Sequence, residues 1–382
     1  MKILFAAIPA YGHLYPLMPL ALACADAGHD VTVACGKPFL GRLPLPTIPQ
    51  QPGELELDGV FAEASRRNPG LHGAELVVGM FADVTSEAVA EVLVPTLEEL
   101  RPDLIVYEGM DAGAGVAASV LGIPAVPYAI ALTHMGFALI HPAAMRYRRD
   151  LWTGRGQQPP VGDALLGQAL LDPTPPSLRR FSGPVDIPKI PIRPVGYAES
   201  VGQLPAWLEA PRTRPRVYLT LGTVSFGAVE VLSRAISDIS DLDVDLLVAV
   251  GPDGDPALLG EVGDNVRLER FVDQSRVLSL IDVMVHHGGT GSVLGALSAG
   301  VPQLIMPQGA DQFFNAEYLT EVGAARALRN EEQGAGAIRA VVAALLEPDA
   351  GERTVARRIQ AEIADLPSPA AVIPELVSLT SR

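Results

Sequence analysis

Short apolar runs recur along this chain, none alternates with polar residues, and most lead into a helical stretch. They span residues 3–8, 104–107, 217–221, 246–250 and 283–286. A run of four to six apolar residues with no polar face belongs to a strand covered on both sides. Such strands, alternating with helices, build right-handed β-α-β units and a parallel sheet. The sequence therefore predicts an α/β fold. Further strands are expected at 30–34, 123–126, 266–268 and 303–306. Helices are expected at 17–27, 76–100 (broken near Pro95), 113–121, 228–237, 274–280, 291–299, 313–322 and 337–346.

Composition bounds the partners. Lys and Arg number 28 against 44 Asp and Glu, a net charge of −16. An acidic chain with no basic run repels phosphate backbones and anionic lipid, so neither nucleic acid nor a membrane is an expected partner. The apolar stretch after Met1 is too short for a signal peptide, and no run of ~18 apolar residues exists. A cytoplasmic protein is expected. Cys24 and Cys35 lack zinc-site spacing and read as reduced, buried thiols.

Prolines crowd residues 154–215, which places a domain boundary near 195–215. The expected organisation is an acceptor-binding Rossmann-like domain at 1–200, a linker at 201–215, a nucleotide-binding Rossmann-like domain at 216–360, and a C-terminal helix at 361–382 returning toward the first domain. Two such halves leave a cleft, the default ligand site. The Pro- and Gly-rich stretch 36–53 reads as a loop.

Four elements carry chemistry. Val285-His286-His287-Gly288-Gly289-Thr290-Gly291-Ser292 is a strand end running through a glycine-rich turn into a helix. Glycines admit a close ligand, and the unpaired amides of a helix start favour an anion. No Lys-Ser/Thr follows, so it is not a P-loop. Leu221-Gly222-Thr223 repeats the pattern after an earlier strand. Asp311-Gln312 sets a carboxylate beside an amide, a pair suited to sugar hydroxyls or to capping a turn. Gly12-His13 follows the first strand, where an imidazole can serve as a general base. Glu108, at the end of another strand, can orient it, with Asp111 as a competitor. No Gly-x-Gly-x-x-Gly follows the first strand, which disfavours a nicotinamide dehydrogenase. The acidic cluster Asp241, Asp243 and Asp245 reads as solvated turn rather than a metal site. His134 and His141 lack metal spacing.

Together these elements resemble the GT-B fold glycosyltransferases. More narrowly, they resemble the bacterial natural-product enzymes that move deoxysugars onto macrolides, enediynes and aromatic polyketides. The resemblance implies two Rossmann-like domains facing a central cleft, and inversion at the anomeric carbon without a metal or other cofactor. It gives His13 the role of catalytic base and Glu108 that of its partner, at a position where the family usually has Asp. Gly12, Thr223, Phe271, Val272, His287, Gly289, Thr290, Gly291, Ser292, Asp311 and Gln312 fall at donor-binding positions. Phe271-Val272 would hold the nucleobase, with Asp273 replacing the family's usual Pro. UDP-sugar users of the family carry a Glu for the ribose hydroxyls where this chain has Gly295. Its loss points to a TDP-linked donor.

An apolar natural-product acceptor is expected from the Met, Phe and Leu content of residues 55–100 and 128–180. Met80, Phe81, Met135 and Phe137 are candidates to line its pocket and are equally explained as core. A nucleotide-sugar epimerase of the same fold, or a non-catalytic nucleotide-sugar-binding partner, is the alternative reading. A homodimer is compatible with the sequence but not fixed by it.

Overall fold

The computed structural model describes residues 1–51, 57–160, 166–183, 186–199, 204–222, 228–251 and 254–380. The chain forms two compact units. The first comprises Met1–Thr174, Arg179–Arg193 and Pro367–Arg382; the second comprises Pro175–Leu178 and Pro194–Leu366.

The first unit holds a seven-stranded sheet: β1 (Lys2–Ala6), β2 (Asp30–Cys35), β3 (Thr47–Pro49), β4 (Leu104–Glu108), β5 (Ala125–Tyr128), β6 (Leu170–Asp172) and β7 (Lys189–Pro191). All described pairings are parallel, in the order β3-β2-β1-β4-β5-β6-β7. Every residue of β4 is buried, as its unbroken apolar run requires. The helices Ser86–Leu100 and Ala112–Leu121 cover it through Val89, Leu93, Leu97, Ala114 and Val116.

The second unit holds β8 (Arg216–Thr220), β9 (Asp245–Ala249), β10 (Val266–Glu269), β11 (Val283–His286), β12 (Gln303–Ile305) and β13 (Ala325–Ala327). Their order is β10-β9-β8-β11-β12-β13, again parallel. Leu219, Leu246, Val248, Val285 and Leu304 form its core with Ile338, Val342 and Leu345.

Both sheets reverse strand order at one place. In the first it lies between β1 and β4, where Ala6 stands opposite Tyr107. In the second it lies between β8 and β11, where Thr220 stands opposite His286. Crossovers leave in opposite directions there, so a crevice opens beyond the carboxyl ends of the strands. His13 and the turn after His286 follow such ends, and Glu108 is itself the last residue of β4.

Two features depart from the sequence expectation. The Pro- and Gly-rich stretch 36–53 is not simply loop, since it contributes β3, paired with β2. β3 and β7 both end in Pro and lie at sheet edges, where a missing N–H costs no ladder bond. The 76–100 helix does not break at Pro95. Its irregularity lies earlier, in a wide π-type turn at Gly79–Thr85, and Ser86–Leu100 runs through Pro95 as regular helix. Among the described residues no helix is long and apolar enough to cross a membrane.

Candidate active site

In the first unit the residues after β1 turn into the short helix Tyr11–Leu14, which carries His13. Its Nδ1 stands 3.0 Å from Glu108 Oε1. Glu108 ends β4, is fully buried, and takes the Met110 amide on Oε2 at 2.8 Å. The approach is a close contact, and Oε1 makes no hydrogen bond of good geometry to any described residue. A buried carboxylate facing Nδ1 favours the tautomer with hydrogen there, which leaves Nε2 as the basic nitrogen. The His13 side chain keeps 22% of its surface exposed. Phe81 lies roughly parallel to the imidazole, with ring centroids 6.3 Å apart.

Asp111, the sequence-level competitor, is committed elsewhere. It caps the helix Ala112–Leu121 through Ala114 N at 3.2 Å and takes a short bond from Gln50 Nε2. Gln50 in turn accepts from the Ala7 amide at 2.9 Å. Burial, and then the neighbouring Glu108 charge, push the Asp111 carboxyl well above the usual carboxylate range. Sequence reasoning missed Gln50, which lies in the stretch read as loop.

Of the acceptor candidates, Phe81 is half-buried beside His13. Met80 is buried with Val60, Ala64, Leu76 and Val84. Phe137 is buried between the rings of His134 and His141. Gly109 has no room for a Cβ, which would lie 2.0 Å from the Phe137 ring. Met135 opens the helix Met135–Tyr147. His141 is buried, with Nε2 2.7 Å from the Gly109 carbonyl and Nδ1 accepting from Leu166 N at 3.2 Å. His134 lies 3.9 Å from Asp172, both buried.

In the second unit the turn after β11 is built around the His287 ring. A Cβ on Gly222 would lie 2.6 Å from that ring, and one on Gly289 2.5 Å. Glycine is therefore required at both positions by packing. Gly288 has φ +95°, a left-handed value that L side chains disfavour. Gly289 is the N-cap of the helix Thr290–Ser298, and space is open beside Gly291. Burial pushes the His287 imidazole down to about 4, against the pull of the Thr220 carbonyl. His286 is pushed down to about 3, again by burial first; its Nε2 meets Gln303 Oε1 at 2.8 Å and its Nδ1 accepts from Gly288 N. Both rings are neutral at pH 7. The turn thus presents a helix start and neutral donors, with no formal cation.

Asp311 and Gln312 begin the helix Gln312–Glu321. Asp311 Oδ2 accepts from Thr290 Oγ1 and from Asn315 Nδ2, each at 2.9 Å. Its other oxygen, Oδ1, accepts no hydrogen bond from a described residue. Gln312 Oε1 accepts from the Gln308 and Gly309 amides at 2.8 and 3.0 Å, which leaves its Nε2 as the donor. Asn315 is fully buried, and its Nδ2 also reaches Gly288 O at 2.9 Å and Thr290 Oγ1 at 3.1 Å. It ties the glycine turn to Asp311. The sequence reading passed over it, although its spacing of four from Asp311 sets both on one helix face. Ala310 precedes them at φ +54°, an uncommon value for a residue with a Cβ.

Phe271 is 47% exposed, and Val272 beside it is buried. A Cβ on Gly295 would lie 2.9 Å from Gln274 Nε2 and 3.2 Å from Leu278. The Gln274 amide fills the space in which a longer residue at 295 would start. Gly12 carries no neighbour within 4 Å of a Cβ position, and Ser292 is half-buried. Thr223 lies outside the described residues. Asp241 pairs with Arg339 and Asp243 with Arg214, each at 3.0 Å. Among the described residues no three His, Cys, Asp or Glu side chains cluster as metal ligands do.

Residues 22–222 match the N-terminal domain of the erythromycin biosynthesis protein CIII-like family, and residues 233–379 match its C-terminal domain. The L-demethylnoviosyl transferase of Streptomyces niveus is 33% identical over 97% of this chain and 96% of its own. The glycosyltransferase SnogD from Streptomyces nogalater is 29% identical and superposes with a TM-score of 0.79, covering 100% of this chain and 99% of that one. The spinosyn rhamnosyltransferase SpnG, solved with thymidine diphosphate, is 25% identical with a TM-score of 0.82, over 99% of this chain and 100% of that one.

Proposed function

The chain belongs to the erythromycin biosynthesis protein CIII-like family of GT-B glycosyltransferases, and on that premise we propose that it transfers a deoxysugar from a TDP-linked donor to a hydroxyl of an apolar natural-product acceptor. The observation that carries this reading is the His13–Glu108 pair, 3.0 Å apart at the carboxyl ends of β1 and β4. A base with a buried carboxylate behind it is what deprotonation of an acceptor hydroxyl needs.

In the proposed reaction His13 Nε2 takes the acceptor proton. The acceptor oxygen forms a bond to the anomeric carbon while the carbon–oxygen bond to the diphosphate breaks, with inversion. Glu108 stabilises the imidazolium that results. The leaving diphosphate rests at the helix start after Gly289, where the amides of Gly291 and Ser292 face the growing negative charge. Asp311 Oδ1 and Gln312 Nε2 offer the sugar one acceptor and one donor, a sparse pair that suits a sugar with few hydroxyls. No metal takes part in this proposal.

The TDP assignment is supported by Gly295, where the Gln274 amide occupies the space that a ribose-binding Glu would need, and by the bound nucleotide in SpnG. Calorimetric titration with TDP and UDP tests it. TDP should bind at least about tenfold more tightly; UDP binding that much more tightly than TDP overturns the assignment. TDP-deoxysugars incubated with a panel of apolar aglycones should then give a glycoside. Conversion of donor alone into an epimer would replace the transferase reading with the epimerase one.

A further inference from the structure

At the opposite edge of the second sheet a cavity of about 430 Å³ is lined by Arg212, Arg214, Arg353, Arg357, Asp282 and Pro348, among others. Arg212 and Arg214 precede β8, and Asp282 immediately precedes β11. Arg353 and Arg357 sit one turn apart on the helix Gly351–Ala364. The glycine turn follows the other end of β11. Asp282 and His287 are five positions apart, about 16 Å at ~3.3 Å per strand residue. The cavity is therefore distinct from the donor turn.

Four arginines line the cavity on a chain of net charge −16. Two are balanced: Arg212 lies 3.3 Å from Asp282, and Arg214 lies 3.0 Å from Asp243. The other two are not. Arg353 donates to the carbonyls of Leu345 at 3.0 Å and Asp282 at 3.4 Å, which carry no charge, and its buried Nε has no partner. Arg357 is exposed and makes no ion pair or side-chain hydrogen bond with any described residue. Like charges four apart on a helix repel one another unless an anion lies between them. Guanidinium forks match the oxygens of a phosphate.

We propose that this cavity binds a phosphate-bearing dianion, held chiefly by Arg353 and Arg357. Its volume admits inorganic phosphate, and also the phosphate of a mononucleotide with its sugar and base.

The test is calorimetric titration of the full chain with inorganic phosphate and with thymidine monophosphate, at ionic strength held constant with chloride. Wild type should show saturable binding. Arg357→Gln, which removes no internal bond, should weaken it about tenfold, and Arg353→Gln at least as much. Thr290→Ala, at the donor turn, should leave it unchanged. Equal affinity for the two anions identifies free phosphate as the ligand, whereas tighter binding of the monophosphate places a nucleotide there. Absence of saturable binding, or binding lost in Thr290→Ala and kept in Arg357→Gln, overturns the proposal. In the latter case the anions occupy only the donor turn, and the transferase reading stands.

Discussion

Asn315 donates to the Asp311 carboxylate at 2.9 Å from a position with no solvent exposure. The same amide nitrogen reaches Gly288 O and Thr290 Oγ1. One side chain therefore fixes both the turn assigned to the diphosphate and the carboxylate assigned to the sugar.

Asn315→Asp places a second carboxylate against Asp311 Oδ2 and removes the donor to Gly288 O. Leaving such buried groups unpaired costs about 1–3 kcal/mol. The variant should bind the donor roughly ten- to hundredfold more weakly. TDP alone should lose less than the TDP-sugar, because Asp311 faces the sugar. Titration with both ligands checks this, and equal losses would remove the sugar-positioning role of Asn315.

Gly295 and Gln274 set the second prediction. Gly295→Glu alone displaces the flexible end of Gln274, whose amide lies 2.9 Å from the new Cβ position, so it should already improve UDP binding relative to TDP. Adding Gln274→Ala clears that space. The double variant should bind UDP relative to TDP about tenfold better than wild type. An unchanged ratio in competition titrations would detach position 295 from nucleotide choice.

Acid should unfold this protein early. Burial depresses four histidines: His134, His141 and His287 to about 4, and His286 to about 3. In the unfolded chain each titrates near 6.5. Between about pH 6.5 and 4 the unfolded state therefore binds more protons than the folded one, and stability falls as pH falls. Each group contributes up to ~1.4 kcal/mol per pH unit there. Tm should be flat from pH 8 to 7 and drop steeply below pH 6. His141→Gln should show a shallower fall, and a Tm independent of pH between 7 and 4.5 would contradict the burial of these rings.

Much of this architecture is legible in the sequence because the strands of a doubly covered parallel sheet are continuous apolar runs, as in β1, β4, β8 and β11. The strands that escaped reading are three residues long, β3, β6, β7 and β13, and the helices Leu57–Arg67, Met135–Tyr147 and Gly351–Ala364 were not foreseen either. Three residues are too few for a period, and β3, β6 and β7 lie among prolines. Site residues on strand ends and glycine turns are legible for the same reason: His13, Glu108, His287 and Asp311 follow runs that announce themselves. Gln50, Gln274 and Asn315 are not. Each is a lone amide whose importance comes from a partner distant in sequence, and only folding brings Gln50 to Asp111 or Gln274 to Gly295. The choice of Glu108 over Asp111 also needed coordinates, since only there is Asp111 seen spent on a helix cap.

The proposed transfer depends on His13 acting as a base oriented by Glu108. The most direct measurement is turnover of His13→Ala and Glu108→Gln, with the acceptor that the aglycone panel identifies, alongside TDP affinity by calorimetry. His13→Ala should lose about 10²–10⁴-fold in kcat, the usual contribution of general-base assistance, while TDP affinity stays within about twofold of wild type. Glu108→Gln should lose a smaller factor in kcat. Turnover of His13→Ala within a few-fold of wild type, with the fold intact, would contradict the account.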